Sequence, residues 1–259
     1  MTENTRSQYK DIKEIPVYNF PAWLGGFFST GGRMSLEKVI DRKHSYINYY
    51  PRLRIGDNSL DRIHNLELLI GGRYHSQGKK YYWRTTNSQH AIDLALIIAP
   101  FTPSRSEIIL AFENWQNATM DERREIGESM AHNIHQPLSD PQLYTELIQN
   151  SDFFTGVLDC RAIFFSDNNT RNYGQKSYSY ERMHLNTVNI GLASAIQQTY
   201  GGRLEIIPKG IQVNIKGRNC LTRRDQAKWI YPGNILKELG LSSKLKPNVF
   251  TSNEPVPLE

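Results

Sequence analysis

Two short apolar stretches that carry glycines recur along the chain at one fixed separation, and that repeat constrains the fold more than any other feature. The first, Trp23 to Arg33, reads W-L-G-G-F-F-S-T-G-G-R, and the second, Asp152 to Ile163, reads D-F-F-T-G-V-L-D-C-R-A-I. Their mid-motif glycines, Gly26 and Gly156, lie 130 positions apart. A second pair of landmarks, Gly71-Gly72-Arg73 and Gly201-Gly202-Arg203, has the same separation of 130. Two anchors at one offset, with no gap between them, mark an internal duplication. A helix that crosses another at backbone contact needs a face without bulk, and Gly25, Gly26, Thr155 and Gly156 supply one. The expectation is that helices over Trp23 to Thr30 and Phe153 to Cys160 cross at the centre of a duplicated protein.

The repeat divides the chain into an N-terminal arm (1–17), a first half (18–116), a linker (117–151) and a second half (152–259). Net charge is +5, yet residues 117–150 hold six acids and two bases, so the rest of the chain carries +9. A sequence pI of 9.1 with the excess in the repeated halves points to a polyanionic partner. Cys160 and Cys220 form no C-x-x-C, which argues against a zinc site or a disulfide framework and for a reducing compartment. His132 and His135 form an H-x-x-H without a third ligand, so no metal is expected there. No apolar run approaches the ~20 residues of a transmembrane helix.

Strand alternation supplies the candidate binding face. Arg33 to Asp41 and His44 to Asp57 read as strands, the second sending Ile47, Tyr49, Leu53 and Ile55 to one side. The other side carries Tyr46, Asn48, Tyr50, Arg52 and Arg54. Asn58 or Ser59 caps a helix Leu60 to Ile70, and a hairpin follows over Arg73 to His75 and Lys79 to Thr86 around Gln77-Gly78. It turns Tyr81 and Trp83 inward and Lys80, Tyr82 and Arg84 outward. Ser88 to Phe101 and Ser104 to Ala118 read as helices.

In the second half, Ile163 to Ser166 and Tyr173 to Leu185 repeat the strand pair with Asn168-Asn169 at the turn, presenting Tyr178, Tyr180, Arg182 and His184 outward. A helix Ile190 to Tyr200 follows, then a hairpin of Arg203 to Ile207 with Ile211 to Ile215, in which Gln212, Asn214 and Lys216 alternate with apolar residues. Arg218, Arg223, Arg224 and Lys228 are then expected to reach phosphates at the rim of a binding groove, before a short helix Ile235 to Leu241. Arg33, Arg73, Arg161 and Arg203 complete the candidate nucleic-acid-binding set. Basic side chains fix phosphates, while Tyr, Asn and Gln reach base edges or stack on exposed bases.

Leu24 to Gly32 and Phe154 to Ala162, taken as nine-residue motifs, resemble the two LAGLIDADG motifs of a single-chain homing endonuclease. The resemblance covers most of the chain. It implies an α+β, pseudo-two-fold αββαββα protein whose two saddle-shaped antiparallel sheets straddle a nucleic-acid duplex. In that family the eighth motif position is Asp or Glu and holds a divalent metal against the scissile phosphate; here it is Gly31 and Arg161. Gly31 has no side-chain oxygen, and the Arg161 guanidinium stays protonated and repels a cation. Asp159 points about 200° around the helix from Arg161, and Glu37 on the following strand is less remote.

The resulting expectation is a cleavage-deficient nucleic-acid-binding protein with no catalytic residue and no cofactor, Mg²⁺ entering only if displaced acids serve as ligands. The outward tyrosines favour RNA, as in an intron maturase or a structural component of a ribonucleoprotein such as an organellar ribosome. Intron or ribosomal RNA, a mitochondrial location and a monomer follow from that resemblance, with no membrane involved. An active site-specific DNA endonuclease with displaced ligands, a DNA-binding regulator and a protein-interaction module remain as alternatives.

Overall fold

The computed structural model describes residues 19–41, 46–78, 80–132, 140–169, 178–207 and 226–241. Backbone contacts divide the chain into two units, Met1–Gln136 and Pro137–Glu259. In the first, α1 (Phe20–Gly31) leads into β1 (Arg33–Asp41), β2 (Tyr46–Asp57), α2 (Leu60–Ile70), β3 (Arg73–Gln77), β4 (Lys80–Arg84) and α3 (Ser88–Ile98). Two further helices, α4 (Ser106–Asn117) and α5 (Met120–His132), are appended. The second unit runs α6 (Ser151–Arg161), β5 (Ala162–Asn169), β6 (Tyr178–Thr187), α7 (Ile190–Tyr200), β7 (Arg203–Ile207), β8 (Gln226–Tyr231) and α8 (Ile235–Glu238). Each unit holds one four-stranded antiparallel sheet, ordered β1-β2-β4-β3 and β5-β6-β8-β7. The α+β class and the repeated αββαββα order match the sequence expectation. No helix among the described residues is long and apolar enough to cross a membrane.

Local rules account for the elements. α1 is apolar on every side and is buried on every side. Alternation in β2 buries Tyr49, Pro51, Leu53 and Ile55 while leaving Asn48, Tyr50, Arg52 and Arg54 partly covered. α2 and α7 are capped at repeat-equivalent positions: Ser59 Oγ accepts from the Arg62 amide and Asn189 Oδ1 from the Leu192 amide. Two residues earlier, Asp57 and Thr187 accept from the amides of those caps.

The repeated Gly-Gly is the seat of a buried indole. Trp83 Nε1 donates to the Gly71 carbonyl at 2.6 Å, and Trp229 Nε1 donates to the Gly201 carbonyl at 2.8 Å. Gly72 has φ 100° and Gly202 φ 83°, in the left-handed region that favours glycine. A Cβ on Gly72 would stand 2.4 Å from the Trp83 indole nitrogen, and one on Gly202 would stand 2.6 Å from the Ile230 carbonyl oxygen.

Trp83 and Trp229 are 146 residues apart, 16 more than the repeat, so the offset slips between β7 and β8. Within the described residues β7 pairs with Gln226–Tyr231, and the expected partner Ile211–Ile215 lies outside them. Asn168 and Asn169 do not form a turn: they extend β5, opposite Ser179 and Tyr178. The helix expected to run to Phe101 ends at Ile98 and tightens into a 3-10 turn over Ala99–Phe101, where Pro100 interrupts it. The side chain missing at Gly25 makes room for that turn, since a Cβ there would lie 2.3 Å from Phe101 Cβ. The stretch 117–151 contributes structure to both units. Its helix α5 packs on β1 and β2, with Gly127 pressed against the Tyr49 ring. Tyr144, in a 3-10 turn, accepts a hydrogen bond from Asn189. The arm 1–17, His135 and Cys220 lie outside the described residues.

Trp83→Phe removes the pyrrole part of a fully buried indole together with the donor to the Gly71 carbonyl, so it is expected to destabilise the protein by about 1–3 kcal/mol. Urea unfolding followed by circular dichroism checks this, and Trp229→Phe should give a loss of the same order.

Candidate nucleic-acid interface

Register turns scattered arginines into a row. Arg33 on β1 is directly opposite Arg54 on β2, Arg54 is opposite Arg84 on β4, and Arg84 is opposite Arg73 on β3. Directly paired residues share a face, and the alternation that buries Leu53, Ile55 and Trp83 puts this row on the opposite, outward side. Arg33, Arg73 and Arg84 are exposed and Arg54 is half-buried. Among the described residues no carboxylate pairs with any of the four. Like charges directly opposite one another cost stability, so the row holds an uncompensated positive field.

The neighbouring row fixes Arg54. Gly56, Tyr82 and His75 lie opposite one another, and Gly56 leaves room for the Tyr82 ring, which a Cβ would approach to 2.8 Å. The Arg54 guanidinium lies 4.4 Å from the Tyr82 ring centroid, and His75 stacks on the same ring at 5.3 Å. Burial first, then the charges of Arg84 and Arg54, push the His75 pKa below its usual value. Its Nδ1 is buried with no hydrogen-bond partner among the described residues.

The remaining candidates on this sheet differ in their freedom. Arg52 Nε lies 3.6 Å from Glu37 Oε2, so part of its charge is answered. Tyr50 packs its ring 6.1 Å from that of Trp115. Tyr82 is held between His75 and Arg54, and Tyr46 is exposed. Lys80 is exposed and Asn48 half-exposed.

In the second unit the corresponding row reads Ile163, His184, Ile230 and Arg203. Arg203 pairs with Glu205 at 3.1 Å. His184 packs on Phe165 at 4.5 Å, and Arg182 lies over the same ring at 5.2 Å. Burial, followed by Lys228 and Arg182, lowers the His184 pKa against the opposing effect of Glu205. Tyr178 and Tyr180 occupy β6 opposite Asn169 and Asp167. Gln212, Asn214, Lys216, Arg218, Arg223 and Arg224 lie outside the described residues. Lys228, expected at a rim, sits inside β8 between Asn186 and Glu205.

The two motif positions each end a helix: Gly31 is the last residue of α1 and Arg161 the last of α6. The Gly32 carbonyl beyond α1 accepts from Arg105 Nη2 at 2.9 Å. The resemblance assigns these positions to carboxylates that hold a divalent ion, and neither residue has a side-chain oxygen for that role. Asp159 is buried at 1% exposure, and Glu37 is engaged by Arg52. Among the described residues no group of three or more His, Cys, Asp or Glu side chains is placed to hold a metal ion.

No protein-family model and no curated protein matches the sequence. Solved structures do resemble it. I-SmaMI bound to its uncleaved DNA target in the presence of calcium ions gives a TM-score of 0.56 at 12% identity, over 85% of this chain and 81% of that one. The I-SmaMI LAGLIDADG homing endonuclease bound to cleaved DNA gives 0.56 at 12% identity, over 85% and 82%. The LAGLIDADG meganuclease I-AabMI bound to uncleaved DNA gives 0.51 at 11% identity, over 85% and 82%. The chain has the LAGLIDADG homing-endonuclease fold. What it does with that fold rests on its own site residues.

Three histidines tie stability to pH. His90, whose Nε2 lies 2.9 Å from the Ile70 carbonyl, is also held low, burial outweighing that bond and Asp93. Each of His75, His90 and His184 has a folded pKa below the ordinary value of about 6.5. The unfolded chain therefore binds more protons between those values, and stability rises with pH there. Stability is expected to be full above pH ~6.5 and to fall as pH drops from there toward the folded pKa values. Urea midpoints at neutral and mildly acid pH check it, and His75→Gln should flatten the dependence.

Proposed function

We propose that this chain binds duplex DNA and does not cleave it, the first unit's outward sheet face being the principal contact. The observation that carries this is the row Arg33-Arg54-Arg84-Arg73, four guanidiniums in register without a carboxylate among the described residues to neutralise them. Phosphates are the anions such a surface is suited to, and their counterions are released on binding. The similar solved structures named above are of proteins bound to DNA, which agrees with this choice of ligand.

Duplex DNA is favoured over unpaired RNA because stacking on unpaired bases needs free aromatic faces. Tyr82 is enclosed between His75 and Arg54, and Tyr50 lies against Trp115. Lack of cleavage is inferred from the two motif positions. A metal that activates water or stabilises a leaving oxygen is held by oxygen ligands, carboxylates above all, and α1 ends at Gly31 and α6 at Arg161, neither of which carries a carboxylate.

The test is parallel binding of a randomised DNA duplex and of structured RNA across a salt series, followed by incubation of the bound duplex with Mg²⁺ or Mn²⁺. Tighter, salt-dependent retention of intact DNA is expected. Preferential retention of RNA would move the reading to a maturase or ribonucleoprotein role. Site-specific cuts would contradict the non-cleaving assignment, and their loss in Glu37→Gln would make Glu37 a displaced ligand.

A further inference from the structure

The arginine row is not a requirement of the fold. The second unit builds the same strand order and register with Ile163, His184, Ile230 and Arg203 in those four places. Three of the four arginines can thus be replaced without loss of the sheet, and opposed like charges are unfavourable in themselves. The row therefore answers to a ligand, and its geometry narrows the ligand further.

Strands lie about 4.8 Å apart, so four in register span about 14 Å. The B-DNA major groove is about 12 Å wide and admits a two-stranded ribbon. β2 and β4 are the two central strands, and β1 and β3 are the edges. A duplex presenting its major groove to this face meets Arg54 and Arg84 at the groove floor, while Arg33 and Arg73 stand at or beyond the groove walls. Arg54 is held in place by the Tyr82 ring, which is braced by His75. An immobilised guanidinium fork is suited to a bidentate acceptor pair, and guanine O6 and N7 are the commonest such pair in the groove.

Resting on the duplex-binding reading, we propose that Arg54 and Arg84 read two neighbouring guanines through the major groove and that Arg33 and Arg73 hold the flanking phosphates. The two central arginines set base preference; the two edge arginines set affinity and salt dependence.

The experiment is selection of bound duplexes from a randomised library by the full-length protein, with salt titrations of the winners, for the unmodified chain and for Arg54→Gln, Arg84→Gln, Arg33→Gln and Arg73→Gln. The unmodified chain is expected to enrich a guanine pair. Arg84→Gln and Arg54→Gln should each lower the guanine preference at one position by roughly 5- to 100-fold, with a shift toward adenine, which glutamine can pair bidentately. Their salt slopes should change little. Arg33→Gln and Arg73→Gln should each reduce the log-log salt slope by ~0.9 while leaving base preference intact. Circular dichroism of each variant reports folding, and Arg54→Lys, which keeps the charge over Tyr82, should bind with unreduced salt slope. If all four glutamine variants lower the slope alike and none alters base preference, the row is a phosphate clamp and the base-reading assignment falls. If the unmodified chain retains no duplex in a salt-dependent way, the duplex-binding reading falls with it.

Discussion

A single part-buried hydrogen bond, repeated once in each unit, fixes the frame from which the arginine row follows. Trp83 and Trp229 each donate an indole N–H to the carbonyl of the first glycine in a Gly-Gly pair. That carbonyl closes a helix, and the tryptophan lies on the strand that joins the two halves of its sheet. The bond therefore ties helix end to sheet centre, and moving the strand by one residue would turn every side chain to the wrong face. In the first unit this frame puts Trp83 inward and, one residue on, Arg84 outward beside Arg54. Burying an indole and aligning the arginine row are two consequences of one register.

Much of the frame was legible in the sequence because it depends on local chemistry. β1 and β2 end where alternation ends, α2 and α7 begin at their caps, and Gln77-Gly78 fixes the hairpin that sets Arg73 against Arg84. The pairing of Arg54 with Arg84 was not legible, because α2 and β3 lie between β2 and β4 and the register across that gap is tertiary. The same limit hid the engagement of Tyr82, whose partners come from two other strands. In the second unit the offset of 130 does not carry over to β8, since Trp229 lies 146 residues from Trp83, so Gln226–Tyr231 does not stand at the repeat spacing from β4. Trp229 was the available signal, being the one tryptophan in the sequence after Gly201 and so the counterpart of Trp83. Gly127 was a comparable signal for α5: a glycine inside a helix costs roughly 1 kcal/mol against alanine, and the Tyr49 ring is what occupies the space it leaves.

The two units share a backbone plan and differ in surface chemistry. The four places that hold arginine in one hold isoleucine, histidine, isoleucine and an ion-paired arginine in the other. Such divergence on a common frame is the expected behaviour of a fold whose function lives in grafted side chains. At the motif ends, Gly31 and Arg161 have no side-chain carboxylate to offer a divalent ion, and Glu37 is paired with Arg52. What remains on the described surface is the row of four arginines on which the proposed DNA binding rests.

The most direct test of that account is the NMR signal of the arginine Nε–Hε groups in the full-length protein, titrated with a DNA duplex in the presence of Mg²⁺ and followed by electrophoresis of the recovered DNA. The account predicts that the signals of Arg33, Arg54, Arg73 and Arg84 shift together and saturate with the duplex intact. Signals from these four that stay in place while duplex binds elsewhere, or a duplex recovered in pieces, would contradict it.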